Sequence, residues 1–337
     1  MSFVRYNPED SVISSETVVR GLFSGDNNSL TVYFTQSGFT EYYMDIYNAD
    51  ASLSSSAVQF SIQYGNLYGS GSKVINTNVP NGGYTPSRVV YGEYRNLVYG
   101  TETQNFSFDN TAVSASQIFV LNYARARYKE SLQPGTLNLV LSGSAGVIKL
   151  IDDSSTTNLT RYIGENEVYY VISGSDNVPY APATASYYGM MFPDLNIIVL
   201  NATSGSATSL LPWITGSTAN LNQTTSSVAN NQLKLYNALS ASAAAGYSMT
   251  LQSNETVSSR YFFTRVKNSE FNYTTNPSII DANGNLLYTT LINNPQTYIT
   301  SVGMYNDNNE LLAVAKLSQP LTKDFTKEAL IRIKLDY

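Results

Sequence analysis

Hydrophobic and polar positions alternate along much of the chain. Between Val58 and Tyr64 every second residue is hydrophobic, and the residues between them are polar. Because successive side chains of a strand point to opposite faces of a sheet, this alternation predicts a half-buried strand that ends at Gly65. The same alternation, or a short apolar run, predicts further strands at residues 30–35, 42–47, 137–141, 147–151, 168–172 and 196–201.

The C-terminal residues carry the clearest strand pattern. Charged side chains occupy one predicted face, and the apolar positions of the other face are Ala329, Ile331, Ile333, Leu335 and Tyr337. Upstream, residues 299–305 and 310–317 flank an Asn- and Asp-rich turn at 306–309, which predicts a β-hairpin. The following residues 318–320 are expected to leave the sheet.

Helical spacing of apolar residues predicts short helices over residues 87–97 and 230–243. Residues 202–228 are rich in Ser, Thr, Asn, Gly and Ala, which predicts a long loop or an exposed arm rather than core. The predicted fold class is mainly β, with antiparallel sandwich-like domains and a few short helices. The predicted organisation is a β-rich part at 1–200, a loop or arm at 201–228, and a C-terminal β domain at 229–337. Within the first part, a division into two subdomains near residues 80–100 is an open alternative.

The composition restricts the chemistry that the chain can perform. Its 337 residues include no Cys and no His, which excludes thiolate and imidazole nucleophiles, disulfides, and zinc sites with Cys or His ligands. The net charge is −6 and only 13 % of residues are charged, which disfavours binding to a nucleic-acid backbone. The largest basic cluster, residues 125–129, is interpreted as a paired or solvated strand end.

Targeting signals are not evident in the sequence. The first residues contain no apolar segment typical of a secretory signal, and no apolar run is long enough to span a bilayer. Together with the composition and the net charge, these observations lead us to expect no cofactor, no metal ion, no nucleic-acid partner and no membrane association.

Two pairs of acidic residues are candidates for general acid–base catalysis. Asp152 and Asp153 are neighbours in sequence, so on a strand their side chains would point to opposite sides, which does not suit two carboxylates acting on one bond. Glu165 and Glu167 would share one face if their strand begins that early. For both pairs, solvated loop carboxylates are the favoured interpretation.

Two loop motifs resemble ligand-binding sequences only in part. Residues 281–285 place oxygen-bearing side chains at alternate positions, as at the start of a calcium loop, but position 292 is Ile instead of the required Glu. A turn without metal is therefore favoured. Gly65, Gly69 and Gly71 follow a predicted strand without matching a dinucleotide or phosphate motif, which favours a flexible loop.

Tyrosine is abundant, with 27 residues, and favours contacts with other proteins. The doublets at 42–43, 169–170 and 187–188 would each place one ring in the core and one on the surface. Protein interfaces are favoured for these rings over ordinary positions or carbohydrate binding. Residues 268–277, which include Phe271 and Tyr273, would form either a docking loop or a loop that covers its own core.

Several segments resemble known virion proteins. The runs ITSVGMYN at 299–306 and LLAVA at 311–315 resemble an element of bacteriophage tail, baseplate and tail-collar fibre proteins. Residues 91–99, 123–135 and 265–277 are similar to virion structural proteins of large contractile-tailed bacteriophages, especially those of the cyanophage type. The resemblance covers about residues 1–150 and 189–337, and it carries over no catalytic residue.

The resemblance implies a non-enzymatic structural component of a contractile phage tail, in the baseplate or at its periphery. Such a protein would be assembled in the host cytoplasm into the virion, and its partners would be other virion proteins and copies of itself. A neck, collar or capsid-decorating protein and a receptor- or carbohydrate-binding tail module are open alternatives. The residues expected at the interface are Phe271, Tyr273, Tyr298, Tyr305, Leu335 and Tyr337.

Overall fold

The computed structural model describes residues 5–36, 42–73, 85–108, 114–156, 160–180, 187–214, 221, 231–272 and 276–336. These residues lie mainly in strands that pair in antiparallel sheets, with a few short helices between them. The predicted fold class is therefore confirmed.

The strands are β1 (Ser11–Gly21), β2 (Ser29–Leu30), β3 (Phe34–Thr35), β4 (Tyr43–Tyr47), β5 (Val58–Asn66), β6 (Gln117–Asn122), β7 (Ser131–Leu132), β8 (Asn138–Gly143), β9 (Gly146–Asp152), β10 (Arg161–Ile163), β11 (Asn166–Ser175), β12 (Val178–Pro179), β13 (Gly189–Phe192), β14 (Ile197–Asn201), β15 (Met249–Thr250), β16 (Gln252–Val266), β17 (Thr297–Tyr305), β18 (Leu311–Lys323) and β19 (Ala329–Asp336). The helices are α1 (Pro86–Tyr99), α2 (Leu211–Ile214), α3 (Asn231–Ala244) and α4 (Thr290–Asn293). Both predicted helices are confirmed, as α1 and α3.

The chain divides into two compact units. The smaller unit comprises Met1–Thr17 and Thr256–Tyr337, and the larger unit comprises Val18–Glu255. The predicted boundaries at residues 200 and 229 both fall inside the larger unit. The division between the units falls within the long strands β1 and β16.

The larger unit is built on one extended antiparallel sheet. Its strands run in the order β2-β15-β8-β9-β11-β13-β14-β6-β5-β4-β3, with β10 and β12 paired to β11. Helix α3 packs against β8 near one end of this order and against β4 and β5 near the other, so the sheet curls around that helix. Helix α1 packs on β5 and helps to enclose a second apolar cluster.

The central strands of this sheet are buried on both faces. In β6, Phe119 and Leu121 belong to the cluster around α3, whereas Ile118 and Val120 belong to the cluster around α1. A continuous apolar run is therefore required here instead of the alternation seen in half-buried strands.

Glycine and proline set the position of helix α1. Pro86 occupies the first turn, where a missing N–H costs no hydrogen bond, and Gly100 ends the helix in the left-handed conformation with φ 67°. A Cβ on Gly65 would lie 3.1 Å from the Tyr91 backbone, so glycine allows the helix to approach β5 closely. The predicted flexible Gly-rich loop thus begins at a tightly packed glycine.

The described part of the Ser/Thr-rich segment is not an exposed arm. Ala202, Thr203 and Leu210 are buried, and Trp213 in helix α2 packs edge-to-face on Tyr188. Short polar side chains here bond to each other and to the backbone; Thr203, for example, accepts a hydrogen bond from the Gln117 amide. Composition was misleading because these side chains satisfy each other inside the fold.

The smaller unit contains two sheets. In the first, β16 lies between β1 and β19, and β16 pairs with β19 from Ser259 opposite Asp336 to Val266 opposite Ala329. The second is the predicted hairpin, formed by β17 and β18. The expectation that residues 318–320 leave the sheet is correct for their pairing but not for the strand: β18 continues to Lys323, yet residues 317–320 have no partner between the pairs Ile299–Leu321 and Ser301–Lys316. A register shift between Ile299 and Ser301 places the irregular pairing beside Pro320, and bulges are positions where a sheet tolerates proline.

Candidate functional site

The base of the β17–β18 hairpin is held by a buried lysine. The Lys323 side chain is fully buried, and its Nζ donates hydrogen bonds to the Asn268 carbonyl at 3.0 Å, to Asn272 Oδ1 at 2.6 Å and to the Asp324 carbonyl at 2.8 Å. An ammonium group has three N–H donors, so all three are satisfied. The residues after β16 are thereby tied to the last residue of β18.

A second contact holds the same loop to the other hairpin strand. Thr297, which pairs with Lys323, donates a side-chain hydrogen bond to the Phe271 carbonyl. Phe271 is half-buried and has a positive φ of 52°, which is uncommon for a residue with a bulky side chain. The loop therefore reaches both hairpin strands through hydrogen bonds at a defined position.

The turn that follows the hairpin is an organised polar site. Asp324 accepts hydrogen bonds from the Thr326 amide and hydroxyl and forms an ion pair with Lys327 at 3.1 Å. The Thr326 hydroxyl and the Lys327 ammonium stabilise the carboxylate, so they lower the pKa of Asp324 to about 2.

Beyond this base, the hairpin exposes large apolar side chains. Leu311, Leu312 and Val314 are 52 %, 67 % and 61 % exposed, and Tyr305 lies opposite Leu311. The Tyr305 ring covers Gly303, where an added Cβ would lie 2.9 Å from the ring. We call Tyr305, Leu311, Leu312 and Val314 the hairpin patch.

Strand β19 adds a second exposed apolar region. It has β16 as its only paired strand among the described residues, so its other edge is unpaired there. Leu330 on the outer face is 67 % exposed, and Leu335, which shares a face with the buried Ile331, is 41 % exposed near the end of the strand. An unpaired edge with exposed leucines can accept a further strand.

The smaller unit has a very small apolar core. Among its described residues, Val266 and Ile331 are the only buried hydrophobic side chains. The aromatic rings of Tyr261, Phe262 and Phe263, in the middle of the central strand β16, are only half-buried. All other buried hydrophobic side chains of the described chain belong to the larger unit.

The predicted interface residues are placed differently by the structure. Tyr298 is 62 % exposed on β17, and Tyr305 and Leu335 are also exposed, whereas Phe271 is half-buried in the anchored loop. Tyr273 and Tyr337 lie outside the described residues. Tyr298 pairs with Thr322 near the hairpin base, away from the hairpin patch.

Sequence reasoning missed two features of this surface. It did not single out Leu312 and Val314, because the sequence of a hairpin strand does not reveal which of its two faces is covered by the rest of the fold. It also missed Lys323, because nothing in the sequence marks a lysine that will be buried. The signal available for the patch was the density of apolar residues in 311–315 beside a polar turn.

The acidic pair Asp152 and Asp153 is buried, so its interpretation as solvated loop carboxylates is wrong. Asp152 is fully buried and accepts hydrogen bonds from the Gly135, Leu137 and Ser154 amides at 2.8, 3.3 and 3.2 Å. These bonds join the turn before β8 to the end of β9. Backbone donors occupy the Asp152 carboxylate, which gives it a structural role.

Asp153 forms an ion pair with Arg161 and accepts a 2.8 Å hydrogen bond from the Tyr170 amide. Burial raises the pKa of Asp153, and the hydrogen bond and charge of Arg161 oppose that rise. The Arg161 guanidinium lies 4.5 Å from the centre of the Tyr170 ring, and Tyr170 stacks on Tyr187 at 3.9 Å. The two members of each of the doublets 169–170 and 187–188 are half-buried, and both members of the doublet 42–43 are exposed, so the predicted split of each doublet into one core and one surface ring is wrong.

The other candidate acids occupy surface positions. Glu165 is exposed, and Glu167 accepts a 2.6 Å hydrogen bond from the Tyr169 hydroxyl. The Asp281 carboxylate closes a turn by accepting from the Asn283 and Asn285 amides, as the sequence predicts for a turn. The described residues contain no group of three or more acidic side chains arranged to hold a metal ion. No helix in the described ranges has the length and apolar character needed to cross a bilayer.

Comparison of the chain with protein-family models, with curated proteins and with solved structures finds no match.

Proposed function

We propose that the protein is a non-enzymatic structural subunit of a contractile phage tail, positioned in the baseplate or at its periphery. The observation that carries this proposal is the mismatch between strand length and core size in the smaller unit. Strands β16, β17, β18 and β19 are long, yet Val266 and Ile331 are the only buried hydrophobic side chains among the unit's described residues.

The energetics of burial explain why this mismatch favours assembly. Burying one such side chain stabilises a fold by about 1.5–3 kcal/mol. Fixing the backbone of a single residue costs about 1–2 kcal/mol. Two buried side chains therefore supply little of what long strands require, and a neighbouring subunit supplies further apolar burial in our proposal.

The hairpin patch is suited to that contact. Leu311, Leu312 and Val314 are exposed at the start of one strand, where a protein partner can remove them from water. The hydrogen bonds of Lys323 and Thr297 hold the hairpin base, so less conformational entropy is lost on docking. The unpaired edge of β19 offers backbone hydrogen bonds in addition.

The hairpin runs at 299–306 and 311–315 resemble an element of phage tail, baseplate and tail-collar fibre proteins, and residues 265–277 are similar to virion structural proteins, which supports a virion as the assembly. Both segments belong to the smaller unit, the part of the chain with the least internal burial. A segment that contacts neighbouring subunits in a particle is expected both to resemble other virion proteins and to bury little apolar surface within its own chain.

The contact itself is tested with a charge placed in the hairpin patch. Val314→Asp should weaken assembly at least about tenfold, because a carboxylate would be buried against the partner. Val178→Asp is the matched control, since Val178 is 62 % exposed in the larger unit and Val314 is 61 % exposed. Assembly is measured by co-sedimentation of each variant with tails from an infected culture. Equal incorporation of both variants would refute the role of the hairpin patch.

The location is tested by separating heads, tails and soluble protein from the same culture and measuring the chain in each fraction by mass spectrometry. We expect it in tails, at a constant ratio to other tail proteins. Its presence on heads alone would exclude the tail assignment and favour a capsid-decorating protein. Turnover of a host polysaccharide by the purified protein would contradict a non-enzymatic role.

A further inference from the structure

The larger unit contains an open cleft with an unusual share of cationic side chains. Its volume is about 330 Å³, and its walls come from the end of β1, the tight turn after it and the loop before β7. Arg20, Arg127 and Lys129 line it, and Asp26 is the one carboxylate in the lining. The cleft is thus locally positive on a chain whose formal net charge is −6.

A serine at the centre of the cleft is held in a fixed orientation. The Ser24 amide donates to Gln59 Oε1 at 3.0 Å, and the Gln59 side-chain amide donates to Ser24 Oγ at 2.8 Å. Arg127 donates to the same Oγ at 2.8 Å. Gln59 is fully buried, so this arrangement is built into the fold and is not a chance surface contact.

These bonds leave hydrogen-bond donors directed at the cleft. Because Ser24 Oγ accepts two hydrogen bonds, its own O–H proton needs a separate acceptor, and no described residue supplies one. Arg127 uses one of its five N–H groups on Ser24 and forms no ion pair within the described ranges. Arg127 is half-buried, and this burial lowers the pKa of its guanidinium.

The remaining charges make the balance of the cleft positive. Asp26 Oδ1 accepts a 2.8 Å hydrogen bond from the Gly21 amide, which holds that carboxylate in the turn. Arg20 forms an ion pair with Glu255 at a long distance of 3.9 Å, and Lys129 is exposed without an ion pair in the described part of the chain. The lining therefore carries three cationic side chains and one carboxylate, and Glu255 outside the lining partly balances Arg20.

We propose that this cleft binds a small oxyanion, namely the phosphate or carboxylate group of a soluble molecule or of a polymer end. Arg127 and the Ser24 hydroxyl donate the directional hydrogen bonds, and Arg20 and Lys129 add longer-range attraction. The basic cluster at 125–129, predicted to be a paired or solvated strand end, contributes Arg127 and Lys129 to this site, while Arg125 is not part of the lining.

The test is a titration of the full chain with sodium phosphate and, separately, with sodium glucuronate, at constant ionic strength. Binding is followed by the NMR shifts of the Ser24 and Gly25 amides. We expect saturable shifts with at least one anion at millimolar concentration and about tenfold weaker binding for Arg127→Gln, because a charge-assisted hydrogen bond is lost. Arg125→Gln removes the same charge two residues away and should change the affinity less than about twofold.

Two further variants keep the test decisive. Lys129→Gln removes the charge of an exposed side chain and should weaken binding, and Ser24→Ala should weaken it without changing the charge. Failure of both anions to saturate at about 20 mM would overturn the proposal. Equal weakening by Arg125→Gln and Arg127→Gln would also overturn it, because the attraction would then be general and not specific to the cleft.

Discussion

The buried ion pair of Asp153 and Arg161 allows a quantitative test of the larger unit. Replacing Arg161 with Gln leaves the Asp153 carboxylate, whose side chain is 2 % exposed, without its counter-charge and beside the buried Asp152. Breaking a fully buried pair in this way costs about 3–5 kcal/mol. Because the Arg161 side chain is 31 % exposed, water screens part of this interaction. The expected loss of unfolding free energy at pH 7 is therefore smaller than for a fully buried pair, about 2–3 kcal/mol.

The assay uses the single tryptophan of the chain. Trp213 packs against Tyr188 in the larger unit, so its fluorescence during urea unfolding reports the loss of that core. Unfolding is measured for the wild type, Arg161→Gln, Asp153→Asn and the double variant. Asp153→Asn keeps an oxygen acceptor for the Tyr170 amide and removes the buried charge, so it should cost less than about 1 kcal/mol.

The sign of the pH dependence follows from the direction of the pKa shift. The folded-state pKa of Asp153 is raised by burial, so the folded state holds the proton more tightly than the unfolded chain does. The penalty of Arg161→Gln is therefore largest at neutral pH and shrinks as the pH falls through the raised pKa toward about 4. A loss of unfolding free energy for Arg161→Gln that stays constant between pH 7 and about 4 would refute this reasoning. So would a double variant whose loss equals the sum of the losses of the two single variants.

Three other predictions concern packing and titration. Gly65→Ala should destabilise the larger unit by about 1–3 kcal/mol in thermal unfolding, because its Cβ would lie 3.1 Å from the Tyr91 backbone in helix α1. The control is Gly92→Ala in α1, which has free space around its Cβ and should leave the stability unchanged or increase it. The carboxyl carbon of Asp324 should titrate by NMR with a midpoint of about 2, and Thr326→Val should raise that midpoint; its stabilising contribution is complete above the unfolded pKa of about 4 and is lost as the pH falls toward 2. Burial raises the pKa of Tyr91 to about 12, so ultraviolet titration of Tyr91→Phe should lack one phenol that ionises near 12, and an unchanged curve would contradict the described packing.

The strands and helices could be predicted to the extent that they depend on local pattern. The alternation at 58–64 and 329–337 and the polar turn at 306–309 correspond to β5, β19 and the hairpin. Pro86 and the apolar spacing that follows it correspond to α1. These features are local because backbone geometry fixes the period of the side chains.

The candidate surface could be predicted only in part. The C-terminal hairpin and last strand were expected to dock on a neighbour. The sequence of a strand, however, does not say which of its two faces another part of the protein covers, and this covering decides which side chains are exposed. Leu312 and Ile331 are equally hydrophobic, yet one is 67 % exposed and the other is buried. Lys323 was not predicted because its burial depends on three oxygen acceptors brought together from residues 268, 272 and 324.

The sequence by itself determined the β-rich class, the two main helices, the chemistry that the absence of Cys and His excludes, and the position of the last hairpin. Only the tertiary structure decided that Asp152 and Asp153 are buried, that Ala202, Leu210 and Ile214 belong to the core, and that Ser24 and Arg127 meet across 103 positions of the chain. The physical reason is that local pattern specifies the direction of each side chain, whereas burial and charge pairing arise from contacts between residues distant in sequence.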